Sequence, residues 1–197
     1  MPMKPNYELA YKNIIMREGF YVNNIFDRGQ ETFCGISRKW FPNWKGWELI
    51  DNEDKNLPAN KWSTFNVIME LVYEHYKENF WDKLKCDKLR THVIAETLFD
   101  VAVNCGCSYA AKSLQRTLNY LTKDQLKVDG IIGNKTLTAL KKLKPEYYEQ
   151  NETKIVFLLI VYRQLKYFAI VQKDPTQKVF AHGWLNRNIS LLKELLF

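Results

Sequence analysis

Apolar residues recur at helical spacing along most of this chain, and the most informative break in that pattern lies between Glu18 and Ser37. The contrast constrains the fold to a mainly α architecture, in which a small β-hairpin element follows the first helix. Asn6 is placed to cap that helix, and Tyr7, Ala10, Tyr11, Ile14 and Ile15 share one of its faces. Phe65, Ile68, Met69, Val72, Tyr73 and Tyr76 form a second stripe after Ser63, and Leu89, Val93, Leu98 and Val101 a third that runs to Cys105-Gly106. Ala110, Ala111, Leu114, Leu118 and Leu121 make another. Asp129-Gly130 reads as a turn, and Gly133-Asn134 opens a short helix through Leu137 and Leu140. A long helix is expected after Pro145, closed near Lys173 by Asp174-Pro175, with a last one carrying Leu185, Ile189, Leu192 and Leu195.

The chemistry in the break centres on Glu18, at the end of the first helix, with Asp27 and Thr32 at fixed offsets behind it. A hairpin between them would turn all three toward one cleft. Cleavage of a sugar bond needs such a set: a carboxylic acid that donates a proton, and polar groups that hold a water across from it. The plainer reading is a surface Glu18 paired with Arg17 or a neighbouring Lys, and for one glutamate taken alone it is the commoner case.

Composition narrows the partners. The 197 residues carry a net charge of +7, which favours polyanions such as nucleic acid, anionic membranes and bacterial wall polymers. No cluster of Lys and Arg interleaved with aromatics marks a nucleic-acid face, so the wall is the expected target and no nucleic acid is expected. Cys105-Gly-Cys107 is too closely spaced for paired zinc ligands, and His75, His92 and His182 form no HExxH pattern, so neither metal nor cofactor is expected. Cys34, Cys86, Cys105 and Cys107 read as small hydrophobes of a reducing compartment, with bridging left open. The first residues lack an apolar stretch of signal-peptide length, and Ile155 to Tyr162 is too short to span a bilayer. Synthesis in the cytoplasm without stable membrane insertion is therefore expected, with a holin-type pore or lysis releasing the protein to act at the cell wall.

The residues Glu18, Gly19, Tyr21, Val22, Asn23, Asp27, Gly29, Glu31, Thr32, Gly35 and Ile36 stand where the glycoside hydrolase 108 family has its ordered motifs. The chain resembles that family of lysozyme-like N-acetylmuramidases, which opens on Glu-Gly-Gly-Tyr. The likeness continues through Leu98 to Asn104, Leu114-Gln115-Arg116 and Val128 to Gly133, similar to the peptidoglycan-binding segment that follows in the family, and through Gly183 to Arg187 at its usual ending. Phe20 and Gln30 replace family glycines and Ser37 a common Thr; a Cβ at Gln30 risks strain if the backbone there takes a positive φ. The resemblance implies an α+β lysozyme-like fold, with Glu18 as catalytic acid, Asp27 and Thr32 beside it, and Tyr21 and Phe20 near the sugar. Some family members come from prophages or carry the label of secretion activator.

Two groups of residues admit two readings each. Trp40, Phe41, Trp44, Trp47 and Trp62 are either core or a sugar-stacking groove. Asp100 and Asn104, one helical turn apart, belong either to a buried hydrogen-bond network or to the substrate floor. A catalytic segment over 1–97 and a peptidoglycan-binding-like segment over 98–197 are expected, integrated into one fold because no Pro- or Ser-rich linker divides them. The expected activity is hydrolysis of the β-1,4 bond between N-acetylmuramic acid and N-acetylglucosamine. The alternative is a non-catalytic peptidoglycan-binding or secretion-associated protein.

Overall fold

A computed structural model of the chain describes residues 3–16, 18–23, 30–55, 57, 61, 66–123, 125–143 and 148–196. It is mainly α with a small antiparallel sheet, the lysozyme-like class expected. The chain forms two compact units, Tyr7–Asn79 and Met1–Asn6 with Phe80–Phe197. Ser63 and Trp62 lie outside the described residues.

The Tyr7–Asn79 unit begins with α1 (Tyr7–Ile15), whose Tyr7, Ala10, Tyr11 and Ile14 are buried. The stripe packs aromatically on α3 (Asn66–Tyr76): Tyr73 meets Tyr7 and Tyr11 edge-on at centroid distances of 4.7 and 5.0 Å. Strands β1 (Tyr21–Asn23), β2 (Glu31–Phe33) and β3 (Ile36–Ser37) form one antiparallel sheet in that order. The hairpin expected from the sequence therefore gains a third strand. Val22 pairs with Thr32 and Thr32 with Ser37, while Phe33 pairs with Tyr21 and Ile36. Strand alternation thus turns Phe33 and Ile36 inward on one face and puts Thr32 on the other. A short helix, α2 (Gly46–Asp51), follows and packs on α3.

In the second unit, α4 (His92–Cys105) starts at Thr91, whose hydroxyl accepts from the Ile94 N–H at 3.4 Å. A hydroxyl in that position satisfies one of the orphan donors of a helix start, which fixes where the helix begins. The boundary drawn from the sequence at residues 97 and 98 falls inside this helix. Gly106, at φ +88°, breaks the chain between α4 and α5 (Cys107–Leu121), as its sequence position implied. Helices α4 and α5 pack on each other and on α7 (Tyr148–Lys173), with α6 (Asn134–Lys141) against α5 and α8 (Ala181–Leu196) against α7. The Asp129-Gly130 turn is pinned by one side chain: Gln115 donates to Asp129 Oδ1 at 2.8 Å and accepts from the Gly130 N–H at 3.0 Å.

The Asn151–Lys173 portion of α7 is long and apolar enough to cross a membrane. The core helix of a globular protein meets the same criterion. Here Ile155, Val156, Leu159 and Ile160 are buried, and Arg163 is fully buried midway along the helix in contact with Asp100.

Candidate active site

Glu18 follows α1 by three residues, its N–H bonded to the Ile15 carbonyl at 3.2 Å. Its carboxylate, half-buried, lies over the turn between β2 and β3. That turn is Cys34-Gly35, with φ values of +46° and +76°. Two positive φ angles in a two-residue hairpin are what a type I′ turn demands, and they match the right-handed twist of the strands. Cys34 adopts the left-handed region despite a cost of about 1–2 kcal/mol for a residue with a side chain. Two hydrogen bonds hold it there: its N–H donates to the Phe20 carbonyl at 2.8 Å, and its carbonyl accepts from the Tyr76 hydroxyl at 2.8 Å.

Gly35 is then required for a second reason. A Cβ at this position would come within 2.4 Å of the Tyr76 Oη and 2.9 Å of the Glu18 Oε2. The missing side chain is the space in which the Glu18 carboxylate and the Tyr76 hydroxyl approach the turn. The buried Cys34 thiol registers this proximity: burial, and then the negative charge of Glu18, push it up to about 12. It is a packed thiol and not a nucleophile. Tyr76 was legible in the sequence only as part of a helical stripe; its hydroxyl function was not.

Of the other expected site residues, Thr32 stands at the centre of β2, its hydroxyl 3.4 Å from the Gln30 carbonyl. Asp27 lies outside the described residues. Phe20 contributes its backbone carbonyl to the turn, a role indifferent to its ring. Gln30 has φ +54°, so the backbone takes the conformation that glycine would adopt more cheaply. Tyr21 donates its phenol to Glu31 Oε1 at 2.9 Å. Glu31 also meets Arg38 at 2.6 Å and Lys55 at 3.3 Å, and Arg38 and Lys55 both reach Asp51. Burial alone would push the Glu31 carboxyl up, but hydrogen bonds from Tyr21, Arg38 and Lys55 hold it below the usual range. Glu31 is thus an ion-paired strut of the sheet.

Asp100 and Asn104 belong to the second unit. Asp100 is fully buried, in contact with Arg163 and bonded to Arg187 at 2.5 Å. Asn104 donates to the Asp100 backbone carbonyl at 2.8 Å and accepts from the Tyr167 hydroxyl at 3.4 Å. Asp100 thus belongs to a buried hydrogen-bond network, with both carboxylate oxygens engaged below the surface. Arg187 ends the Gly183–Arg187 motif and Asp100 lies in the Leu98–Asn104 motif, so two distant sequence signals meet in one ion pair. Arg163 had no sequence signal of its own. Among the described residues, no group of three or more His, Cys, Asp or Glu side chains is arranged to hold a metal.

Residues 11–106 match the glycosyl hydrolase 108 family model, and residues 109–189 match the model of a predicted peptidoglycan domain. A glycosyl hydrolase 108 match in the first part of the chain is thus followed by a predicted peptidoglycan domain match in the second. The solved structure of Brucella abortus SagA is similar, with a TM-score of 0.67 at 26% identity over 96% of this chain and 93% of that one. No curated protein matches. The Glu18 turn lies within the hydrolase domain, whereas the pinned Asp129-Gly130 turn lies within the other. The function of the chain is therefore peptidoglycan-related, carried on a glycoside hydrolase scaffold, with the cell wall as its place of action.

Proposed function

We propose that the protein is an N-acetylmuramidase in which Glu18 is the catalytic acid. The observation that carries this reading is the Glu18 carboxylate, half-buried over a turn whose glycine leaves the space it occupies. Glu18 protonates the glycosidic oxygen as positive charge builds on the anomeric carbon, and so lets the leaving sugar depart as an alcohol. Tyr76, hydrogen-bonded to the Cys34 carbonyl, fixes the turn against which Glu18 rests and acts as a positioning residue. Asp27, with Thr32, orients the water on the far face of the ring in an inverting reaction, or meets the cation directly in a retaining one. The separation of the two carboxyl groups decides between these outcomes. Glu31 takes no part, because its oxygens are held by Tyr21, Arg38 and Lys55. The protein reaches the wall after synthesis in the cytoplasm, through a holin-type pore or lysis.

The test is product analysis on purified peptidoglycan with wild type beside Glu18→Gln. Gln keeps the shape of the side chain but has no proton to give. New reducing N-acetylmuramic acid ends should appear with wild type and fall about 10²–10⁴-fold in the variant. A wild type that binds the wall and releases no such ends over a range of pH would replace this reading with that of a wall-binding protein.

A further inference from the structure

One cavity of the Tyr7–Asn79 unit is lined without Glu18. It measures about 470 Å³ and lies between the loop Trp40–Lys45 and the side of α3 that continues into the π-helical stretch Lys77–Asp82. That volume is in the range of small-ligand sites. Adjacent residues of α3 point about 100° apart, so Tyr76 reaches the Glu18 turn while His75 lines the cavity.

We propose that this cavity is a saccharide-binding pocket that holds one ring of a glycan strand against Trp40. The inference rests on the peptidoglycan reading above and adds a second sugar contact to it. Trp40 is 65% exposed, whereas Trp47 and Trp81 are packed at 3% and 0%. Single exposed apolar residues are ordinary, but this one forms the rim of a cavity whose other walls are aromatic and amide. Phe41 and Trp44 form the floor, with His75 edge-on to Phe41 at 4.4 Å. Glu74, Glu78, Asn43 and Asn79 supply hydrogen-bonding groups around it. A pyranose presents an apolar C–H face and a ring of hydroxyls, and a flat indole flanked by carboxylates and amides complements both.

The walls are built before any ligand arrives. Trp44 donates its indole N–H to the Leu71 carbonyl at 3.4 Å and stacks on Phe33 at 6.2 Å. Its ring lies where a Cβ on Gly46 would come within 2.3 Å, so only glycine at the start of α2 allows that placement. Trp47 donates to the Phe41 carbonyl at 2.8 Å and fixes the loop from below. A cationic ligand fits less well. Lys39 already holds its ammonium 5.4 Å from the centre of the Trp40 ring, and Lys45 on the loop offsets the two glutamates.

The experiment titrates a soluble tetramer of N-acetylglucosamine into the Glu18→Gln protein, which cannot consume it, and reads affinity by calorimetry. Trp40→Ala on that background should weaken binding at least ten-fold, and Trp40→Phe should restore most of it. Unchanged near-ultraviolet dichroism would certify the fold, as expected for an exposed ring. Equal affinity with and without Trp40, or no binding at millimolar tetramer, overturns the proposal. So does a pocket that binds a diamine-bearing peptide in its place and loses it with Glu74→Gln and Glu78→Gln. On intact wall, Trp40→Ala should raise KM and keep kcat. Trp40-dependent binding with no release of reducing ends by wild type would remove the muramidase reading and leave the pocket. Glu18-dependent cleavage with KM indifferent to Trp40 would do the reverse.

Discussion

In the Phe80–Phe197 unit Asp100 is fully buried between two guanidinium groups, whereas in the Tyr7–Asn79 unit Glu18 is half-buried above a glycine. Both are carboxylates within residues 11–106, the part that matches the hydrolase family, yet their surroundings differ. Taking Asp100 and Arg163 out of water costs several kcal/mol per ion, offset by their mutual attraction and by bonds that saturate nearly every polar atom. Asn188 accepts from Arg163 at 2.6 Å and donates to Gln164 at 2.7 Å, which extends the network. A carboxylate so enclosed cannot exchange a proton with a substrate. Glu18 retains contact with solvent, and the space around it is kept open by Gly35. The first arrangement ties α4, α7 and α8 together; the second leaves Glu18 partly exposed beside its turn.

Removing Asp100 is the strongest way to break that contrast. Asp100→Ala removes the carboxylate that Arg163 and Arg187 both contact, and should cost about 3–5 kcal/mol in urea denaturation. Glu18→Gln, by comparison, should move stability by under about 1 kcal/mol while lowering cleavage by about 10²–10⁴-fold. Near-equal stability losses in the two variants would defeat the distinction. The pH dependence follows the same logic. Burial would raise the Asp100 carboxyl, but Arg187 and Arg163 together bring it below its ordinary value of 3.8. A group whose native pKa is depressed contributes stability that is complete above the unfolded value and is lost as pH falls through the native one. The urea midpoint should therefore drop as pH goes below 3.8 in wild type, and Asp100→Asn should lack that component.

Gly35 sharpens the comparison from the other side. Gly35→Ala must place a methyl 2.4 Å from the Tyr76 Oη at a φ of +76°, and should cost about 2–3 kcal/mol. Cleavage should fall far more than stability explains at temperatures where the variant is folded, because the displaced atoms include the Glu18 carboxylate. Adding Tyr76→Phe removes the closest clash, so the double variant should be more stable than the sum of the singles predicts. Strict additivity in that cycle would mean that the glycine is needed for its φ alone.

The periodic parts of the fold were legible in the sequence because a helix with one buried face writes its period into the chain. Tyr7, Ala10, Tyr11 and Ile14 are buried as read, and α5 and α6 fall where their stripes and glycine signals put them, whereas α8 lies where expected but leaves Leu185 and Ile189 of its stripe exposed. α2 was not legible, since six residues carry too little period, and neither was the third strand of two residues. At the site, Glu18 and the Gly35-Ile36 pair could be named from motif order. The Tyr76 hydroxyl, Arg163 and the cavity beside Trp40 could not, because each depends on long-range packing that no local pattern encodes. Asp100 left two readings standing because burial is a property of the whole fold.

The smallest effect concerns Gln30, where the sequence departs from a glycine and the backbone keeps the glycine's φ of +54°. The left-handed conformation costs a residue with a Cβ about 1–2 kcal/mol, and a glycine would recover that at the expense of greater freedom in the unfolded chain. Gln30→Gly should therefore stabilise the protein by under about 1 kcal/mol, a rise of roughly 1–3 °C in Tm for a chain of this size. A fall in Tm would mean that the Gln30 side chain makes contacts worth more than the strain. Cleavage measured beside Tm separates two meanings of that strain. If activity is unchanged, the strain is an incidental consequence of the substitution. If the more stable variant cleaves more slowly, the strained residue leading into β2 helps to set the position of Thr32, two residues on, and the Tyr7–Asn79 unit gives up stability next to its reactive groups where the other unit does not.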